Sequence, residues 1–193
     1  MRRIWFIVVA DMAFVVIFGP MKSGKSLELI SRVAPYEFAH DRVLYVQPSA
    51  NTRDQGVWSR GGLNARALKV NSLNEVSGTF DVIGIDEINM FPADDVHRIA
   101  DWIAKGKHIY ISGLDLDYRA EMPEVCRRIL TLKPDEVVFK KAVCDVCRKF
   151  DARYTQIIHK GEELLGGISS IAPEDGTYEY QARCRKCFKR AKI

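Results

Sequence analysis

Apolar runs long enough to cross a membrane are missing from this sequence. A spanning helix needs about 20 apolar residues, whereas residues 4–10 and 12–18 form two runs of seven, separated by Asp11. Arg2 and Arg3 give the start the look of a secretion signal, but cleavage there would remove too little before the next run begins. Residues 1–11 are expected to be an extra strand or a packed arm, with Met12 an alternative start. Charge of one sign is also lacking. With 29 Lys and Arg against 25 Asp and Glu, the net charge is only +4, so bulk charge makes no case for a nucleic-acid or membrane partner. Cysteine is scarce: four of the five fall in two Cys-x-x-Cys pairs, which does not fit a disulfide framework. What remains is 193 residues, 47% of them hydrophobic, enough for one domain or one and a half.

The chain is organised around Gly19-Pro20-Met21-Lys22-Ser23-Gly24-Lys25-Ser26. This fits the Gly-x-x-x-x-Gly-Lys-Ser/Thr phosphate loop, and it follows the apolar strand pattern of residues 13–18. Loop N–H groups and the positive end of the following helix converge on a polyphosphate in such a turn. Lys25 is expected to reach the β- and γ-phosphates and Ser26 to ligate Mg²⁺. A nucleotide loop together with clustered cysteines points to a reducing compartment, so a cytoplasmic location is expected.

Downstream, Leu27, Ile30, Val33 and Ala34 recur at helical spacing up to about Phe38, with Pro35 disturbing the last turn. A short buried strand follows at residues 43–46, then a polar loop over 48–63 that carries Asn51, Thr52 and Arg53. The strand pattern of residues 80–85 ends in Asp86 and Glu87. Asp86 is placed to hold the Mg²⁺ shell, and Glu87 is the candidate base for an acceptor hydroxyl. The plainer alternative is that both carboxylates cap the next helix. That helix is expected from Pro92 with Val96, Ile99, Ala100 and Ile103 on its inner face, ending near Gly106. Residues 108–113 form the next strand, and Tyr118 and Arg119 lie beyond its carboxyl end, where ligands of open α/β sheets bind. Residues 137–139 complete the strand pattern, and Cys126 reads as a small buried residue.

Cys144 and Cys147 with Cys184 and Cys187 form two knuckles able to wrap one structural Zn²⁺. The 36 residues between the pairs exceed the roughly 15–20 of a zinc ribbon. They contain Gly166-Gly167 and Tyr178-Glu179-Tyr180, which suits a lid pinned by the metal. An ordinary zinc hairpin with a basic tail for a partner or nucleic acid is the alternative.

Together these stretches resemble the thymidine kinase family that joins a phosphate-loop α/β domain to a zinc-bound lasso. The resemblance rests on Gly19 to Leu29, Val82 to Glu87, Gly113-Leu114-Asp115-x-Asp117-Tyr118-Arg119, the cysteine pairs, Gly166-Gly167 and Tyr180. It implies an α/β fold of RecA-like phosphate-loop type, with a mostly parallel sheet flanked by helices and a zinc-ribbon-like lasso. The expected division is 1–11 as an extension, 12–140 as the nucleotide-binding domain and 141–193 as the lasso domain. It also implies ATP contacts from the phosphate loop and from Asp86, Glu87, Ile88 and Asn89, with Mg²⁺ at Ser26 and Asp86. Glu87 becomes the proton acceptor. The nucleoside site, for thymidine or deoxyuridine, falls to Tyr118, Arg119, Leu164, Leu165, Gly166, Gly167, Ile168 and Tyr180. A homotetramer is implied, and no membrane or nucleic-acid partner. The chain departs from the family pattern at Lys22, at Asn51, at Asn89-Met90-Phe91 and at Glu124-Val125, and it carries a tyrosine at 118 where phenylalanine is usual. Two rivals stand beside this reading: a nucleic-acid-stimulated ATPase with a zinc ribbon, and a non-catalytic nucleotide-binding module.

Overall fold

The computed structural model describes residues 12–51, 56–58, 62, 64–168 and 176–190; the expected N-terminal extension, Thr52, Arg53, and the Ser169-Ser170 and Pro173-to-Asp175 part of the lid lie outside the described residues. The elements run β1 (Phe14–Phe18), α1 (Lys25–Phe38), β2 (Val43–Pro48), β3 (Gly56–Trp58), β4 (Asn64–Arg66), β5 (Leu68–Val70), β6 (Val82–Ile85), α2 (Val96–Ala104) and β7 (His108–Gly113). They continue through α3 (Glu124–Thr131), β8 (Glu136–Phe139), β9 (Ala142–Val143), β10 (Phe150–His159), β11 (Glu162–Glu163) and β12 (Glu179–Cys184).

Six strands form one sheet in the order β5-β2-β6-β7-β1-β8, and every neighbouring pair is parallel. A parallel sheet is covered on both faces, which is why β1 and β6 are buried at every position rather than at alternate ones. Phe14, Val16 and Phe18 of β1 face a core shared with Val96, Ile99 and Trp102 of α2 and Val125, Cys126 and Ile129 of α3. Val15 and Ile17 face the other way, toward Leu29, Ile30 and Val33 of α1. Because all six strands point the same way, their carboxyl ends share one edge. The register sets Phe18 beside Gly113 and Ile85 beside Ile111, so the phosphate loop, Asp86 and Ser112 emerge together.

Four local readings of the sequence are corrected. The 48–63 stretch is not without structure: β3 pairs antiparallel with β4, and Val57 is fully buried. Three residues, Gly56, Val57 and Trp58, are too few to carry a periodic signal. On α2 it is Trp102, edge-on to Phe80 at 5.4 Å, that fills the core with Val96 and Ile99, while Ala100 and Ile103 are only half buried. A large aromatic reaches a core that a smaller neighbour on the same face does not. Helix α3, whose Val125, Cys126 and Ile129 stand at helical spacing, went unread in the sequence. Among its described residues the segment between the cysteine pairs is mostly strand, with β10 and β12 as a long antiparallel hairpin that β11 and the preceding β9 flank. Helix α1 runs through Pro35 to Phe38 as expected.

Candidate active site

The phosphate loop leaves β1 and turns into α1 at Gly24, whose φ is 79°. Gly19 cannot carry a side chain, because a Cβ there would stand 2.9 Å from the Lys140 carbonyl and from Ser23 Oγ. Lys25 is buried, and its ammonium donates to the Pro20 carbonyl at 2.9 Å, so a cation lies inside the loop with only a neutral partner at hydrogen-bond distance among the described residues. Ser23 Oγ is buried without a hydrogen-bond partner among the described residues. Such a donor and such a cation suit a phosphate oxygen. The loop is also held from outside: Met21 N–H donates to Thr155 Oγ1 at 3.0 Å, and Lys22 Nζ to Asp145 Oδ2 at 2.8 Å.

Facing the loop, the buried Asp86 carboxylate is gripped on both oxygens. Oδ2 accepts from Ser26 Oγ at 2.9 Å, and Oδ1 accepts a short hydrogen bond from Ser112 Oγ at the end of β7. A hydroxyl and a buried carboxylate at this spacing offer the oxygen donors a hard divalent cation takes. Glu87 follows in the left-handed region, at φ 51° and ψ 45°, and is buried. For a side chain with a Cβ this geometry costs on the order of 1 kcal/mol and persists only where surroundings enforce it. The residues just after Glu87 are pinned at the end of β7. Asn89 Oδ1 accepts from Leu114 N–H at 2.8 Å, and a Cβ on Gly113 would strike Asn89 Oδ1 and Ile88 Cγ2 at 2.8 Å. The capping alternative fails, since the Glu87 side chain makes no capping hydrogen bond to the short turn Ile88–Met90. Ile88 itself is fully buried in the main core.

Beyond β7, Tyr118 and Ile157 are buried together, with Leu164, Ile168, Tyr178 and Tyr180 packed against them. Tyr118 OH donates to the Ile168 carbonyl at 2.9 Å, and Leu164 N–H donates to the Ile157 carbonyl at 2.8 Å. Leu165 is exposed, and open space surrounds Gly166 and Gly167. The structure therefore brings Tyr118, Leu164, Ile168 and Tyr180 together and leaves Leu165, Gly166 and Gly167 outside that cluster. Arg119 is held by its neighbours: Nε donates to Asp117 Oδ2 at 3.0 Å, and the guanidinium lies 3.4 Å from Glu121. Burial pushes the nearby Asp115 carboxyl up from its ordinary value, against the pull of the Lys25 charge.

A family model for thymidine kinase matches residues 12–188, from the strand before the phosphate loop to just past the last cysteine. The chain belongs to the thymidine kinase family. Its similar relatives include the thymidine kinase of Mycoplasma mobile, 34% identical over 179 residues, covering 89% of this chain and 84% of that one. The thymidine kinases of Pyrobaculum aerophilum and Thermococcus kodakarensis are each 32% identical, covering 89% of this chain and 96% and 91% of theirs.

In this family member the four cysteines Cys144, Cys147, Cys184 and Cys187 converge, with all sulfurs within 4.8 Å of one another. Cys147 and Cys184 Sγ are 3.7 Å apart, close to the roughly 3.8 Å separation set by tetrahedral Zn–S bonds of about 2.3 Å. The donor set fits Zn²⁺. Burial resists ionisation of Cys144, but the N–H groups of Cys147, Cys184 and Val146 outweigh it and bring the thiol down to about 6. Cys126, by contrast, is fully buried and donates to the Leu114 carbonyl at 3.3 Å, and burial pushes its thiol up to about 12. Among the described residues no helix is long and apolar enough to cross a membrane. Ser112 and Thr155 escaped the sequence reading. Each is a lone hydroxyl in a strand, and only the strand register reveals what it faces.

Proposed function

We propose that this chain is an ATP:thymidine 5′-phosphotransferase, moving the γ-phosphoryl group of ATP to the 5′-hydroxyl of thymidine or deoxyuridine for nucleotide salvage and DNA synthesis. The observation that carries this reading is the Ser26–Asp86 hydrogen bond of 2.9 Å with the buried Glu87 next in chain. One carboxylate is committed to the phosphate loop, and a second stands beside it for another task. Phosphoryl transfer is mainly positioning and charge stabilisation. Gly19, Pro20 and Met21 shape the loop around the phosphates, Lys22, Ser23 and Gly24 offer backbone N–H groups to them, Lys25 bears on the β- and γ-oxygens, and Asp86 to Asn89 border the nucleotide. Ser26 and Asp86 hold Mg²⁺, which supplies charge neutralisation between the phosphates when bound. Glu87 accepts the proton of the acceptor hydroxyl as the oxygen–phosphorus bond forms and ADP leaves. Tyr118, Tyr180 and the backbone of Leu164, Leu165, Gly166, Gly167 and Ile168 recognise the base, and Arg119 orients the acidic loop around Asp117. Zn²⁺ on the four cysteines is structural.

Division into a nucleotide-binding domain over 12–140 and a lasso domain over 141–193 fits the break between the two sheets. A homotetramer in the cytoplasm is the assembly this reading carries with it, on the family resemblance. The test is a coupled assay with ATP and Mg²⁺, offering thymidine, deoxyuridine, deoxycytidine or no nucleoside, each with and without single-stranded DNA. Thymidine-dependent ADP release is expected. Release that ignores nucleosides and follows DNA would replace this reading with a nucleic-acid-stimulated ATPase.

A further inference from the structure

A glycine-rich loop binds phosphate well only if something fixes its backbone, since each disordered residue must be ordered at the moment of binding. Here the fixing contacts come from the other sheet, across more than a hundred residues of chain. Met21 N–H reaches the buried Thr155 Oγ1 of β10 at 3.0 Å, with |i−j| of 134. Lys22, at φ 64°, turns its ammonium onto Asp145 Oδ2 at 2.8 Å, with |i−j| of 123. The two anchors meet at one rung. Thr155 pairs with Ala182 in the β10–β12 ladder. Asp145 grips that same Ala182 twice, its N–H donating to the Ala182 carbonyl at 2.8 Å and its Oδ2 accepting from Ala182 N–H at 2.7 Å. Asp145 follows Cys144 directly, and Ala182 lies two residues before Cys184.

We infer that the rung formed by Thr155, Ala182 and Asp145 positions the phosphate loop, so that metal loading of the cysteine cluster and nucleotide binding reinforce each other. This rests on the nucleotide-binding reading above. The four-cysteine site fixes where Cys144 and Cys184 stand, and with them Asp145 and the end of β12. The rung passes that geometry to Met21 and Lys22, the two loop residues between Pro20 and Ser23. Thr155 and Asp145 are positioning residues, acting on phosphate through the loop backbone. The buried Thr155 contact carries most of the effect, because the Lys22–Asp145 pair is partly exposed, at 31% and 20%, and such pairs contribute little alone. Linkage is reciprocal: whatever zinc contributes to nucleotide affinity, nucleotide contributes to zinc affinity.

The experiment uses the zinc-loaded full chain. ADP affinity is measured by fluorescence titration, and zinc affinity by equilibrium competition with a chromophoric chelator, with and without saturating ADP. Wild type is expected to hold zinc about fivefold more tightly with ADP present. Thr155→Val is expected to bind ADP about fivefold more weakly, the size of one buried hydrogen bond, and to lose most of the zinc enhancement, while Thr155→Ser retains both. Lys22→Met, a change in a partly exposed side chain, is expected to lower the enhancement about twofold, and it keeps the test decisive should Thr155→Val fold poorly. Zinc affinity indifferent to ADP in wild type, or full enhancement in both Thr155→Val and Lys22→Met, overturns the inference. A wild-type chain that binds no ADP would overturn the kinase reading itself, a different result.

Discussion

Tyr118 donates a 2.9 Å hydrogen bond to the carbonyl of Ile168, joining the loop after β7 to the stretch that follows β11, fifty residues away in sequence. The phenolic ring is buried against Ile157, so only its oxygen distinguishes this contact from one a phenylalanine would make. Removing that oxygen isolates the tie. Tyr118→Phe is expected to leave fold and zinc content unchanged and to loosen the stretch around Ile168, raising the KM for thymidine about fivefold, the size of one hydrogen bond near 1 kcal/mol, with a smaller change in kcat. Limited proteolysis near Ile168 should accelerate in parallel. An unchanged KM together with unchanged cleavage would remove the tie from the account.

Glu87 is held in a strained backbone beside a carboxylate already bonded to two serines. Replacing it with glutamine keeps volume and most hydrogen bonding while removing the proton acceptor. Glu87→Gln is expected to bind ATP as wild type does and to lower kcat by roughly 10²–10⁴, the usual share of a general base. Normal turnover would remove Glu87 from that role.

Ser112 has no charge and no place in the phosphate-loop motif, yet its hydroxyl fixes one oxygen of Asp86 while Ser26 takes the other. Without it the carboxylate is free to rotate and no longer presents a fixed oxygen to the cation. Ser112→Ala is therefore expected to raise the half-saturating Mg²⁺ concentration about fivefold, a loss comparable to one charge-assisted hydrogen bond. ADP affinity measured on the zinc-loaded chain without added Mg²⁺ should stay the same. A Mg²⁺ dependence equal to wild type in the folded variant would show that Ser26 alone orients Asp86.

Glu28 on α1 accepts from Lys140 at 2.7 Å and from Arg32 at 3.0 Å. The Lys140 hydrogen bond, against the opposing effect of burial and with help from Arg32, holds its carboxyl below the ordinary 4.5. A lowered folded value means that the ionised side chain stabilises the native state above the ordinary value, and that this contribution disappears as pH falls through the lowered one. Thermal midpoints of wild type and Glu28→Gln should accordingly differ by a constant amount at neutral pH and converge below 4.5. A gap that widens on acidification would show that the partners do not stabilise the charged form.

Much of this molecule was legible in the order of its residues. The phosphate loop, the strand ending in Asp86 and Glu87, and the cysteine pairs are local patterns: each needs a few residues at short spacing, and the chemistry follows from their types. The same holds for β1 and β6, whose apolar runs announce strands buried on both faces. The shortest elements were not legible, because β3, only three residues long, owes its existence to pairing with β4 rather than to a periodicity of its own. Tertiary structure alone decided which distant groups meet. The parallel register set Ser112 on Asp86, the β10–β12 ladder brought Thr155 under Met21, and Asp145 took Lys22 out of the pool of cations facing phosphate. These are contacts of one hydroxyl or one charge across a hundred residues. A sequence carries no local trace of them, because the register that creates them is the sum of every side chain packed on both faces of two sheets.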